Sequence, residues 1–147
     1  MRLCLLPFVA AVLLSSCQTG TDALTTSAAP STVTGPAASA IAGDIAGRYA
    51  EQAGSTATPI RLHSDASDFA TALEAALKGW GFIVVTDDKA PSVKNTVKPI
   101  ELAYSLIDVD GQVLVRLSSE TFELGRAYSV SSGGATPASP LSLMKRN

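Results

Sequence analysis

The residue whose chemistry its neighbours define best is Cys17. It closes the run Leu14-Ser15-Ser16-Cys17, an aliphatic residue and two small residues before a cysteine. This is the pattern of a bacterial lipobox. Small side chains at 15 and 16 admit the chain to a signal peptidase, and the Cys17 thiol is the nucleophile that accepts a diacylglyceryl group. The preceding run, Leu3 to Leu14, is apolar apart from Pro7 and follows a positive Arg2. It is too short for a membrane-crossing helix, which takes about 20 residues, and reads as a secretory signal. The plainer alternative is an ordinary secreted protein with a cysteine at the end of its apolar run. No better small-x-small cleavage site lies close by, so Cys17 is expected to be the mature N-terminus and the site of lipid attachment.

The other residue types that could do chemistry are sparse. His63 is the sole histidine, with Ser64, Asp65 and Asp68 following. A Ser-His-Asp reading has no G-x-S-x-G elbow behind it, and sequence neighbours rarely assemble a triad. A polar strand end before a helix cap accounts for these residues better. Asp87-Asp88 lacks the further oxygen ligands at fixed spacing that a divalent cation needs. Asp108 and Asp110 flank a turn and suit turn chemistry rather than a paired acid and base. Gly79-Trp80-Gly81 is too short for a phosphate loop and reads as a helix stop, with Trp80 in the core. Arg116 and Arg126 read as a solvated sheet face that a partner's carboxylate could use. No catalytic residue, metal site, cofactor or small-molecule substrate is expected.

Charge and cysteine usage narrow the partners. Eleven basic side chains stand against thirteen acidic ones, and cleavage before Cys17 removes Arg2, leaving a net of about minus three. Lys and Arg are scattered singly apart from Lys145-Arg146, which argues against direct nucleic-acid binding. Cys4 leaves with the signal and Cys17 is consumed by lipid, so the fold has no disulfide available. One acyl chain anchors only marginally, and the two or three of a bacterial lipoprotein hold it almost permanently. Gln18 is not the Asp that retains lipoproteins at the inner membrane under enterobacterial sorting. The expected location is the outer membrane, facing the periplasm.

The elements that must carry these residues divide the chain into four parts. Residues 1–16 are the lipoprotein signal peptide. Residues 17–36 form a lipidated, flexible tether of Thr, Ser, Ala, Gly and Pro, with Leu24 and Val33 its only large aliphatics. As a coil it spans about 25 Å on average. Residues 37–131 hold the periodic hydrophobicity of one domain, and residues 132–147 return to Ser, Gly, Ala and Pro as a flexible C-terminal tail.

Within the domain, Ala38, Ile41, Ala42, Ile45, Tyr49 and Ala53 recur at helical spacing over 37–53, with Asp44 and Arg48 placed to pair on the solvent side. Residues 58–63 alternate as a short strand, which Pro59 assigns to a sheet edge or to its first residue. A second helix carries Phe69, Leu73 and Leu77 on one face, capped by Ser64 or Asp65 and stopped at Gly79. Phe82-Ile83-Val84-Val85 reads as a central strand buried on both faces. Residues 87–98 form an exposed loop. A meander follows: Ile100, Leu102, Tyr104 and Leu106, then Val113, Val115 and Leu117, then Phe122, Leu124, Tyr128 and Val130, with Asp110-Gly111 as the first hairpin turn. The order α-β-α-β-β-β-β predicts an α+β fold, two helices packed on a small, mostly antiparallel sheet.

Several stretches together resemble the TrbH family: the lipobox, the Ser/Thr/Pro tether, Leu73-Glu74-Ala75-Ala76-Leu77-Lys78-Gly79-Trp80-Gly81-Phe82, Glu101-Leu102-Ala103-Tyr104-Ser105, Gly125-Arg126-Ala127-Tyr128-Ser129, and the ending Gly134-Ala135-Thr136-Pro137-Ala138-Ser139-Pro140-Leu141-Ser142. These are lipoproteins of the mating-pair-formation apparatus of conjugative plasmids, a type IV secretion system. The resemblance covers nearly all of the mature chain and brings no catalytic residue with it. It implies a non-enzymatic, lipid-anchored structural component of the outer-membrane part of the conjugal transfer channel, with other channel subunits as partners. The alternative is a stand-alone periplasmic lipoprotein that binds a ligand or peptidoglycan. Leu141, Leu143 and Met144 are apolar residues in a polar ending, which either frays or orders on a partner by filling a groove or extending a sheet.

Overall fold

A computed structural model of the chain describes residues 27–30, 32–87 and 97–147. The signal peptide, Cys17, the tether as far as residue 26, and loop positions 88–96 lie outside the described residues. The described elements are helix α1 (Gly35–Ala53), strand β1 (Ile60–Leu62), helix α2 (Asp68–Gly79) and strands β2 (Val84–Thr86), β3 (Ile100–Val109), β4 (Gln112–Ser119), β5 (Phe122–Ser131), β6 (Gly134–Pro137) and β7 (Ser142–Lys145). The fold is α+β as expected, with two strands more than the sequence reading provides.

Helix α1 starts two residues early, with Pro36 in its first turn, where a missing N–H costs nothing. It ends at Gly54, whose φ of 67° is the left-handed conformation glycine adopts most readily. Its stripe of Ala38, Ile41, Ala42, Ile45 and Tyr49 is buried. Helix α2 is capped by Ser67 instead of Ser64 or Asp65. The Ser67 hydroxyl accepts from the Ala70 N–H at 3.1 Å, because left-handed Ala66 (φ 60°) turns the chain and brings residue 67 to the helix start. Phe69, Leu73 and Leu77 are fully buried and face α1 and the sheet in one core cluster.

The sheet order is β2-β1-β3-β4-β5-β6, with β7 also on β5. Strand β1 runs parallel to both β2 and β3, and the remaining pairs are antiparallel. This overturns two expectations. The strand after Pro59 is internal, because Pro59 stops one residue short of it and only its carbonyl joins the ladder, accepting from the Ile100 N–H at 2.8 Å. The strand expected at the centre, 82–85, is instead the edge strand Val84–Thr86, with Phe82 turned into the core and Ile83 57% exposed. A parallel unit places its second strand beyond the first, and hydrophobicity alone does not say on which side a further strand adds.

The meander keeps the expected register. Leu106 faces Val115 and Tyr104 faces Leu117 across β3 and β4, and Val113 faces Tyr128 across β4 and β5. Asp110 and Gly111, both at positive φ, make the two-residue turn that joins β3 to β4. Tyr49 ties the layers together, its ring centroid 5.5 Å from Phe82 and 5.4 Å from Phe122.

Both flanks of the domain take in residues assigned to flexible segments. In the tether, Ala28 bridges to Ser105 beside β3, and Val33 is buried. The tail is paired: β6 lies against Tyr128–Ser131 and β7 against Phe122–Gly125, and Ala135 and Leu141 pack on the core. The ending 132–147 is therefore not a flexible tail. A strand that binds through its backbone needs no apolar run, and β5 would otherwise present an unpaired edge.

Candidate interaction surfaces

Four polar clusters take in His63, Asp65, Asp68, Asp87, Arg116 and Arg126 from the sequence, and each joins elements distant in the chain. The first surrounds His63. Its Nε2 lies 2.7 Å from Glu101 Oε2 and its Nδ1 lies 3.1 Å from Asp87 Oδ2, so the ring braces β1 against β3 and the end of β2. Arg61 reaches the same Glu101. Asp65 turns away to other partners, so the residues following His63 do not assemble a triad around it. Asp88 lies outside the described residues. Asp108 and Asp110 are exposed at the hairpin.

Asp65 centres the second cluster. Its carboxylate accepts from the Tyr104 hydroxyl, from the Ser67 N–H and hydroxyl, and from the Ala29 N–H at 2.7 Å. Asp68 accepts from the Gly35 N–H at 3.2 Å. The loop before α2 thus holds the last residues before α1 onto the domain. The third cluster is Asp44, which accepts from Arg126 Nη1 at 2.9 Å and the Tyr128 hydroxyl at 2.7 Å, with Arg48 Nε 3.7 Å away. The expected Asp44–Arg48 pair is present. Arg126 is not on a solvated face, however: its side chain is only 16% exposed and locks β5 to α1. Its place in the inward row 122-124-126-128-130 is the signal that the sequence reading passed over. Glu123, buried at 8% exposure, forms the fourth cluster with Arg116, Ser118 and Arg146. Its pairing with Arg146 depends on β7 and has no local sequence signature.

Burial opposes ionisation of both Asp65 and Glu123, yet their hydrogen bonds outweigh it. Those from Ser67, Tyr104 and Ala29 hold Asp65 below its ordinary 3.8, and those from Arg116, Ser118 and Arg146 hold Glu123 below 4.5. A folded value below the unfolded one contributes stability that is complete above the unfolded value and is lost as pH falls through the folded one. The expected result is a melting temperature that declines with acidification below about pH 4.5. Asp65→Asn should lower the plateau and flatten that decline. An acid slope identical to the wild type would show that Asp65 carries none of it. Burial pushes the Tyr49 phenol up to about 12, and burial with the Asp65 hydrogen bond does the same for Tyr104, so both stay protonated across this range.

Comparison with known proteins identifies the class of molecule these clusters hold together. The family model described as conjugal transfer protein TrbH matches residues 19–147. The chain belongs to the TrbH family. It is 61% identical over 148 residues to the probable conjugal transfer protein TrbH of Sinorhizobium fredii (strain NBRC 101917 / NGR234), with all of each chain covered. No solved structure matches it significantly.

The outward surfaces of this family member are the remaining candidates for contact. Ile107, Val109, Leu114 and Met144 are large apolar residues on the sheet face away from the helices, each more than a third exposed. Of the tail residues expected to meet a partner, Leu143 and Met144 are exposed on β7, whereas Leu141 packs against the core. Trp80, expected in the core, is 55% exposed. It follows Gly79 as the C-cap of α2, where the chain turns outward before left-handed Gly81. No helix of the described residues is long and apolar enough to cross a membrane.

Proposed function

We propose that this chain is a non-enzymatic, lipid-anchored structural component of the plasmid conjugal transfer channel, a type IV secretion system. In this reading it is attached through Cys17 to the outer membrane and faces the periplasm. The relationship to conjugal transfer proteins along essentially the whole chain carries the reading. The lipobox supports the anchor. The polar clusters support a structural role, since each is spent on holding strands, helices and the incoming tether in one arrangement. Contact with other channel subunits is assigned to β7, where Leu143 and Met144 are exposed and Leu141 fastens the strand to the core.

The anchor is tested by Cys17→Ser, which removes the thiol that takes the lipid. The expected result is an unprocessed precursor that fails to incorporate labelled fatty acid while the wild type is labelled. Equal labelling would refute the lipobox. If the host follows enterobacterial sorting, Gln18→Asp should move the protein towards inner-membrane fractions of a sucrose gradient. The structural role is tested by deleting the gene and measuring plasmid transfer, with Leu143→Ser and Met144→Ser in the complementing copies. Transfer should fall on deletion and be restored by the wild type, while the β7 variants should lose copurifying channel subunits. Unimpaired transfer without the gene would remove the reading. Full copurification by the β7 variants would place the contact elsewhere on the domain.

A further inference from the structure

The C-terminal end of α1 and the α2 C-cap enclose an open cleft of about 520 Å³, lined by Glu51, Gly54, Thr56, Trp80 and Phe82 among others. Three features of it bear on what it could hold. The first is Trp80 itself, which leaves 55% of its surface in solvent beside a core that buries four other aromatic rings, Tyr49, Phe69, Tyr104 and Tyr128, almost completely. Its placement is nonetheless held. The Cζ2 edge of the indole rests on α1 at Gly47, where a Cβ would come within 3.3 Å of it, so the helix carries no side chain at the point of approach. The ring is therefore a supported aromatic surface with an open side.

The second feature is the charge beside it. The last turn of α1 has no basic residue and holds Glu51, so a carboxylate stands at the negative end of the helix dipole, where an acid is normally disfavoured. The third is the open space over left-handed Gly54, which leaves the end of α1 accessible.

The nearby cations are already engaged, and one of them shares Glu51. Lys78, two residues before Trp80, is paired with Glu74. Arg48 Nη1 lies 3.0 Å from Glu51 Oε1 and 3.2 Å from Oε2, and its Nε lies 3.7 Å from Asp44. The Glu51 side chain is 55% exposed, and a carboxylate has acceptor positions for a second donor.

We infer that the Trp80–Glu51 cleft is a binding site for an arginine side chain presented by a partner polypeptide. A guanidinium stacks its plane on indole while its N–H edge donates to a carboxylate, and Trp80 and Glu51 line this cleft together. A lysine ammonium satisfies the charge without the stacking. This site lies apart from β7 and does not depend on the proposed place of the protein in the channel.

Trp80 is the sole tryptophan, so its emission reports on the cleft directly. The full chain in neutral detergent is titrated with a blocked alanine pentapeptide carrying one central arginine. Parallel titrations use the same peptide with citrulline, which keeps the shape and loses the charge, with lysine, and a chitooligosaccharide. The arginine peptide is expected to give a saturable change in emission that weakens as salt is raised, with lysine weaker and citrulline silent. Glu51→Gln, an exposed substitution that leaves the reporter in place, should weaken arginine binding about tenfold, the scale of one lost charge-assisted hydrogen bond. Trp80→Leu, followed by calorimetry, should abolish it. Equal binding of citrulline, an unchanged affinity in Glu51→Gln, or no saturable response to arginine would each overturn the assignment. Saturation by the oligosaccharide alone would reassign the cleft to glycan.

Discussion

Leu73→Ala is expected to lower domain stability by about 2–5 kcal/mol, the cost of removing a buried leucine and leaving a cavity. Leu73 is fully buried at the centre of the α2 stripe, between Phe69 and Leu77, in the single cluster that joins both helices to the sheet. A domain of this size has only about 5–15 kcal/mol in total, so the substitution removes a large fraction of it. At about 4–8 °C per kcal/mol, the melting transition should move down by about 8–40 °C. Thermal unfolding followed by circular dichroism, on protein expressed from residue 18 onward, measures this. Ala75→Ser, on the exposed side of the same helix, should leave the transition nearly in place. A transition unmoved by Leu73→Ala would put the wrong face of α2 against the sheet.

Truncation after Ser131 is expected to be comparably damaging. It removes β6 and β7 and with them the backbone partners of the outer edge of β5. It strips Ala135 and Leu141 from the core surface and takes Arg146 from Glu123. Loss of one partner costs on the order of 3–5 kcal/mol in a fully buried pair, and less here, because Arg146 is 27% exposed and Arg116 remains beside Glu123. The truncated protein should therefore unfold at markedly lower denaturant. It should also self-associate through the bared β5 edge, which size-exclusion chromatography would detect. Arg146→Ala isolates the charge cluster and should show a smaller loss without association. A truncated domain with wild-type unfolding and a monomeric profile would show that the two strands merely lie on the surface. Because truncation damages the fold, loss of plasmid transfer on deleting 132–147 does not by itself locate a contact. The exposed Leu143 and Met144 make the cleaner test.

The two helices and the β3–β4–β5 meander were legible because their signals are local. Apolar side chains at helical spacing placed α1 within two residues and α2 within three of their observed starts, and strict alternation with Asp110-Gly111 at its turn set the β3–β4 register. The family resemblance was legible in the same way, from short runs in order along the chain. Cys17 depends only on its four-residue neighbourhood, and it lies outside the described residues.

Strand order was not legible. Whether β1 or β2 lies at the edge is decided by which backbone groups find partners, and both strands are short and apolar enough for either place. The same reason hid β6 and β7, whose hold on β5 comes mainly from the main chain and whose composition reads as a linker. Asp44, His63, Asp65 and Arg126 were singled out one by one and Glu123 was not, and their partners lie far along the chain: Asp44 with Arg126, His63 with Glu101, Asp65 with Tyr104, and Glu123 with Arg146. Such pairs form only after the layers have packed, because burial between layers is what makes an unpaired charge costly. Trp80 shows the converse. Its residue type predicts burial, and only the outward turn at the end of α2 and the bare backbone of Gly47 leave the ring at the surface. The amino-acid sequence by itself determined the two helices, the β3–β4–β5 meander, their inward faces and the family. The tertiary structure decided which strands are edges, which charges are braces and which aromatic is left exposed, since these depend on contacts between segments that no local pattern encodes.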